Sequence, residues 1–132
     1  MIGDVIFSLL SNDVDVAAIV GTKIYQDLAI EDIVYPYIVI DQVNNDPTDC
    51  KDGASTLDTL EYDIEIYTKT RDQSTDLGVK VRLALDRYSG TVNSKVIQSV
   101  KYNNENSDYD DSDGRVYLKV QSYSFRYLNP LT

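Results

Sequence analysis

No histidine occurs among the 132 residues. With it go the usual general base at neutral pH, the Ser-His and Cys-His nucleophile pairs and the commonest zinc ligand. The one cysteine, Cys50, allows no intramolecular disulfide and has no base partner, so it reads as an inert or solvent-exposed thiol. Such a chain fits a reducing compartment or is indifferent to redox state. Six glycines are scattered through turns and none builds a phosphate cradle. Met1 is followed by Ile2-Gly3-Asp4, with no basic segment and no long apolar run. The sequence therefore predicts neither a signal peptide nor a membrane span, and a soluble protein made and used without export. Basic residues are scarce as well: 12 against 22 acidic ones, for a net charge of -10 and a pI of about 4.2. Phosphate contacts dominate nucleic-acid affinity, and this balance argues against nucleic-acid binding as the main task. The acidity serves solubility, or else forms a surface that repels DNA or imitates it.

What is present is organised around Asp58 to Tyr88. Leu60, Tyr62, Ile64 and Ile66 fall on one face of an alternating strand, and Glu61, Asp63, Glu65 and Lys69 on the other. A period of two with one apolar face predicts a half-buried strand whose opposite face is acidic. After a short turn, Leu77, Val81, Ala84, Leu85 and Tyr88 recur along one helical stripe that needs a sheet to cover. Thr70 with Gln73 matches a capping box, and Asp72 is an alternative N-cap.

The rest of the chain packs around that pair. Ile2, Val5, Ile6, Leu9 and Leu10 predict a first amphipathic helix ending near Ser11-Asn12. A second, short helix follows, capped by Asp13 or Asp15, with Val16, Ile19 and Val20 buried and Gly21 ending it in a left-handed conformation. The chain then runs extended through Lys23-Ile24-Tyr25. Tyr37 to Val43 is β-branched and apolar on both faces, which predicts a central strand. Asn44 to Thr56 is polar and reads as a long exposed loop joining two strands as a wide hairpin. Ser89-Gly90-Thr91 breaks the helical pattern. Val96, Ile97 and Val100 lead a further strand into a polar, acidic stretch from Asn103 to Gly114. In the last strand, Arg115 to Tyr127, Val116, Leu118 and Val120 share one parity and Tyr123, Phe125 and Tyr127 the other, as a β-bulge near Gln121-Ser122 would produce. With 132 residues the chain forms one domain, burying roughly two thirds of its unfolded surface. The expected class is α+β over residues 1–132, a mostly antiparallel sheet with two main helices packed on one face.

Candidate chemistry is thin. Aligning Asp111, Asp113 and Gly114 on a calcium-binding loop puts Tyr109 first and Val120 twelfth, where neither can serve as a ligand, so the stretch reads as a solvated hairpin turn. Glu61, Asp63 and Glu65 stand about 6.6 Å apart along their strand. Nothing around them would split their pKa values for acid-base work, and a solvated or lumen-facing row fits better. Two features point to a partner. Val79 and Leu83 pair at i, i+4 opposite the core stripe of the helix, either covered by another segment of the chain or forming an interface patch. Eleven tyrosines, with no tryptophan and two phenylalanines, suit interfaces.

Several phrases resemble the tail-terminator, or tail-completion, proteins of long-tailed bacteriophages. They are the opening helix with Val16-Ala17-Ala18-Ile19-Val20-Gly21 leading to Lys23-Ile24-Tyr25, then Tyr35-Pro36-Tyr37-Ile38-Val39-Ile40. Tyr62-Asp63-Ile64-Glu65-Ile66-Tyr67 with its following helix, and Asp113-Gly114-Arg115 opening a long strand that ends in aromatics, complete the pattern over most of the chain. The resemblance implies a structural phage or prophage protein with no catalytic, cofactor-binding or metal residues to carry over. It implies a hexameric ring capping the tail tube, in contact with the tube protein and with a head-completion or connector protein. DNA would pass without specific binding and no membrane would be involved. The place would be the head-proximal end of the virion tail, with assembly in the host cytoplasm. On this reading Val79 and Leu83 are candidates for the subunit interface. Asn45, Asp46, Pro47, Asp49, Lys51 and Asp52 are candidates for contact with the tube or a neighbouring copy, and Glu61, Asp63 and Glu65 for an acidic face that repels DNA. Assembly is expected to be weak alone and helped by salt, Mg²⁺ or the tube end. The alternative is an acidic DNA-mimic inhibitor that occupies a basic host DNA-binding protein.

Overall fold

The alternation around Ile64 sets the architecture. In a computed structural model, residues 2–26, 34–50, 53–111 and 115–128 are described, with 44–50 and 53–57 described for their backbone. The elements are α1 (Ile2–Ser11), α2 (Val14–Val20), β1 (Ile24–Gln26), β2 (Tyr37–Cys50), β3 (Gly53–Thr68), α3 (Arg71–Leu85), β4 (Gly90–Val92), β5 (Lys95–Asp110) and β6 (Val116–Leu128). The six strands form one sheet in the order β1-β2-β3-β6-β5-β4. Only β1 and β2 run parallel; all other neighbours are antiparallel. Leu60, Tyr62, Ile64 and Ile66 of β3 and Tyr123 and Phe125 of β6 join the buried faces of the three helices in a single core. This is the α+β class expected, with its helices on one face of the sheet.

Local signals explain the helices. Asp13 caps α2, its carboxylate accepting from the N–H groups of Asp15 and Val16 at 3.0 Å. Gly21 ends α2 at φ 62 and ψ -123, a positive-φ conformation away from the left-handed helical region and open to glycine above other residues. Thr70, and not Asp72, caps α3, its hydroxyl accepting from Gln73 N–H at 3.2 Å. The helix ends at Leu85, so Tyr88 joins the core from the turn beyond it. Gly78 sits where α3 crosses β6: a Cβ there would lie 2.8 Å from Lys119 Cδ and 3.3 Å from Gln121 Nε2.

Several expectations are corrected. Asn44 to Thr56 is largely strand, not a wide loop. β2 and β3 continue as a two-stranded ribbon whose last backbone pair is Cys50 with Gly53, running past the pairing of Leu57 with Leu128. The polar stretch from Asn103 is likewise strand as far as Asp110. No bulge interrupts β6, which pairs with β3 in unbroken register. The irregularities lie in other pairings: Val43 is an extra residue in β2 and Asn103 in β5, both beside the row of Gln42, Tyr62, Tyr123 and Tyr102, and further shifts fall between Pro47 and Asp49 and between Ile97 and Ser99. The change of apolar parity along β6 therefore means that its two halves present apolar groups to opposite faces of the sheet. β4 was not anticipated. It hairpins onto β5 through Asn93 and Ser94, both at positive φ, as a tight two-residue turn requires.

Candidate functional site

All the described helices lie on one side, and no described helix covers the other face of the sheet, where Tyr37 and Val39 are nevertheless buried. The register gives its composition: Val39, Glu65 and Val120 lie in one row, Tyr37, Tyr67 and Leu118 in the next, and Asp41, Asp63 and Ser122 in another. Tyr67 stacks flat on Tyr37 with ring centroids 4.5 Å apart, and Tyr25 and Tyr35 meet Tyr37 at 6.3 and 5.4 Å. The Lys69 ammonium stands 4.9 Å from the centre of the Tyr35 ring. Tyr67 donates its hydroxyl proton to Glu65 at 2.6 Å. Burial, with Tyr35 and Glu65 close by, pushes the Tyr37 phenol up to about 12. Burial and the bond to Glu65 raise Tyr67 further. Tyr67, Leu118 and Val120 are half-buried, so this patch mixes tyrosine and aliphatic surface with one carboxylate.

The acidic row expected from the alternation of β3 is on this face. Glu61, Asp63 and Glu65 are half-buried there, and Asp63 accepts from the Ser122 hydroxyl at 2.7 Å. The two bulges bend the flanking strands. Val43 and Asn103 consequently approach the same cleft of about 370 Å³, lined also by Glu61, Asp63, Asn104 and Ser122. The structure thus brings Glu61 and Asp63 together at a cleft and sets Glu65 among the tyrosines.

Val79 and Leu83 lie on the opposite side of the molecule, on the outer face of α3, 51% and 75% exposed. They border a depression of about 430 Å³ with Arg82, Asp86 and Arg87. Arg82 bonds Asp86 at 3.4 Å, and its guanidinium carbon lies 3.9 Å from the centre of the Tyr102 ring. Beneath this depression the helix meets the sheet through polar groups that sequence reasoning missed. Gln121 is buried and donates to Gly78 O and to Glu105, both at 2.9 Å, while accepting from the Tyr123 hydroxyl at 2.8 Å. Lys119 pairs with Glu105 at 3.2 Å. Burial alone would raise the Glu105 carboxyl, but the bonds from Gln121 and Lys119 hold it below its ordinary value.

Of the remaining sequence candidates, Asn45, Asp46, Pro47 and Asp49 belong to the ribbon, where their backbones pair with Leu60, Thr59, Asp58 and Ala54. Lys51 and Asp52 lie outside the described residues, as does Asp113. Asp111 is held in a two-bond pair by Arg115, at 2.7 and 3.1 Å. Among the described residues no group of three or more His, Cys, Asp or Glu side chains is placed to hold a metal ion. No described helix is long and apolar enough to cross a membrane.

The profile of tail completion protein gp17 matches residues 4–128, across the helices and the sheet described above. The chain belongs to the tail completion protein gp17 family. It is accordingly a structural protein of the virion tail. No curated protein sequence matches. Among solved structures, a chain from the virion of a native gene transfer agent (GTA) particle is similar in fold. The TM-score is 0.71 over 92% of this chain and 91% of that one, at 14% identity.

Proposed function

We propose that this family member closes the head-proximal end of the tail tube as a ring of copies and presents the surface to which the DNA-filled head is joined. The observation that carries the reading is the family match along residues 4–128, which takes in all three helices and the whole sheet. Three features support it. Exposed Val79 and Leu83 give the outer helix face an apolar centre suited to a subunit contact. The ribbon of β2 and β3 overhangs the sheet and suits contact with the tube or a neighbour, through residues such as Asp46 and Asp49. Six copies of a chain of net charge -10 would carry about sixty negative charges, a field that keeps DNA from sticking to the channel it passes, with Glu61, Asp63 and Glu65 contributing. Partners on this reading are further copies of the chain, the tail tube protein and a head-completion or connector protein.

Native mass spectrometry over a concentration series, with and without Mg²⁺, combined with electron microscopy of purified tail tubes after addition of the protein, tests the proposal. A six-subunit species, or density closing the tube end, is the expected result. Monomer at every concentration together with bare tube ends would overturn it. A DNA mimic would instead bind a basic host protein tightly and form no ring.

A further inference from the structure

In a chain of net charge -10, contact between copies is opposed almost everywhere on the surface. It is favoured only where apolar surface coincides with a local reversal of charge. In the described structure one place meets that condition, and a second apolar patch keeps the acidic sign that such a place attracts. The outer face of α3 exposes Val79 and Leu83 beside the guanidinium groups of Arg82 and Arg87. Arg87 is held at φ 64, a strained conformation for a non-glycine residue, while its N–H donates to Val100 O at 2.9 Å. The sheet face that no described helix covers offers Tyr67, Leu118 and Val120, edged by Glu65 and Asp63.

These patches lie on opposite sides of the described structure, one on the helix layer and one on the sheet face that no described helix covers. We propose that they are the two halves of one contact: α3 of one copy seats Val79 and Leu83 on the Tyr67, Leu118 and Val120 surface of the next, with Arg82 and Arg87 facing Glu65 and Asp63. This rests on the ring reading and names the surface onto which Val79 and Leu83 dock. Each copy's α3 supplies a helix layer on that face of its neighbour's sheet, giving a three-layer arrangement at every junction. Because the two surfaces differ, the contact is head-to-tail, and it repeats until rotation closes a ring. A patch that paired with itself would stop at a dimer.

The test uses two variants that each lose one half of the contact, Leu83→Asp and Leu118→Asp, with folding of each checked by circular dichroism and thermal melting. Alone, each should associate about tenfold or more weakly than the parent. Mixed, they should form a one-to-one dimer through the single intact junction and nothing larger. Either variant assembling like the parent, or a mixture without dimer when the parent assembles, overturns the contact. A second measurement covers a variant that fails to fold and a parent that is monomeric in solution. In a Cys50→Ser background, Leu83→Cys combined with Leu118→Cys should give disulfide-linked ladders on capped tail tubes. Capping without ladders removes this contact and leaves the ring; absence of capping by the parent removes the ring itself.

Discussion

Gln121 ties three structural elements together through one amide. Its nitrogen reaches Gly78 of α3 and Glu105 of β5, and its oxygen serves the Tyr123 hydroxyl within the core. Replacing it with leucine strands that hydroxyl and removes one bond to Glu105, which keeps Lys119, and should cost about 2–3 kcal/mol in urea unfolding, against about 1 for Tyr123→Phe, which leaves the rest of the network in place. Glu105 also sets a pH dependence. Its folded value lies below the ordinary 4.5, so its contribution is complete above that value and is lost as pH falls through the lower folded one. Glu105→Gln should flatten the acid limb of a stability-pH curve. Tyrosine acts at the other end. Tyr37, with an ordinary value of 10.0 raised to about 12, contributes fully below pH 10 and loses that contribution as pH rises toward 12. Phenolate absorbance should then show some tyrosines ionising only as the protein unfolds. Little of this was legible in advance, because a glutamine in an alternating strand reads as solvent-facing. The available hint was Gly78, a glycine inside a helix at a cost of about 1 kcal/mol, which signals close approach by a neighbour.

Elements were read best where side chains meet a core. The stripes of α1 and α3 and the inward face of β3 follow directly from apolar spacing, and Leu77, Val81 and Leu85 are fully buried as that spacing requires. Capping was narrowed to a choice that the structure decides: Thr70→Ala should cost about 1 kcal/mol and Asp72→Ala clearly less, measured by thermal unfolding. The ribbon was missed because paired backbones outside the core need no apolar face, so Asn-Asn-Asp-Pro looks the same in a strand as in a loop. The bulge was assigned to the wrong strand for a related reason. Apolar parity reports which face is apolar, and β6 is apolar on both, inward at Tyr123 and Phe125 and outward at Leu118 and Val120. Its true position is testable. Deleting Asn103 removes the extra residue and leaves Tyr102 opposite Tyr123 and Glu105 opposite Gln121 in a regular ladder. That deletion should cost clearly less stability, in urea unfolding, than deleting Ser122 from β6, which has no extra residue to give up and would slip by one position.

At the scale of the molecule, charge opposes assembly and surface complementarity favours it. Pairs at the edge of a contact, such as the proposed one of Arg87 with Glu65, are worth under about 1 kcal/mol each, whereas repulsion between chains of net charge -10 acts over the Debye length of about 10 Å at 0.1 M salt. Raising ionic strength should therefore strengthen self-association in sedimentation experiments, and indifference to salt would refute this balance. The fold class was legible because a single sheet with one helical layer follows from the order and period of the elements. That no described helix covers the second face was not, since the tyrosines there look in sequence like any others. One consequence of the ribbon is practical. The sole sulfhydryl of the chain belongs to Cys50, which sits in the last described backbone pair of that overhang. A thiol-reactive dye that couples there would attach once per copy, with no engineered site. Depolarisation by energy transfer between identical dyes would then count the copies gathered on a tube and measure how far apart their tips stand.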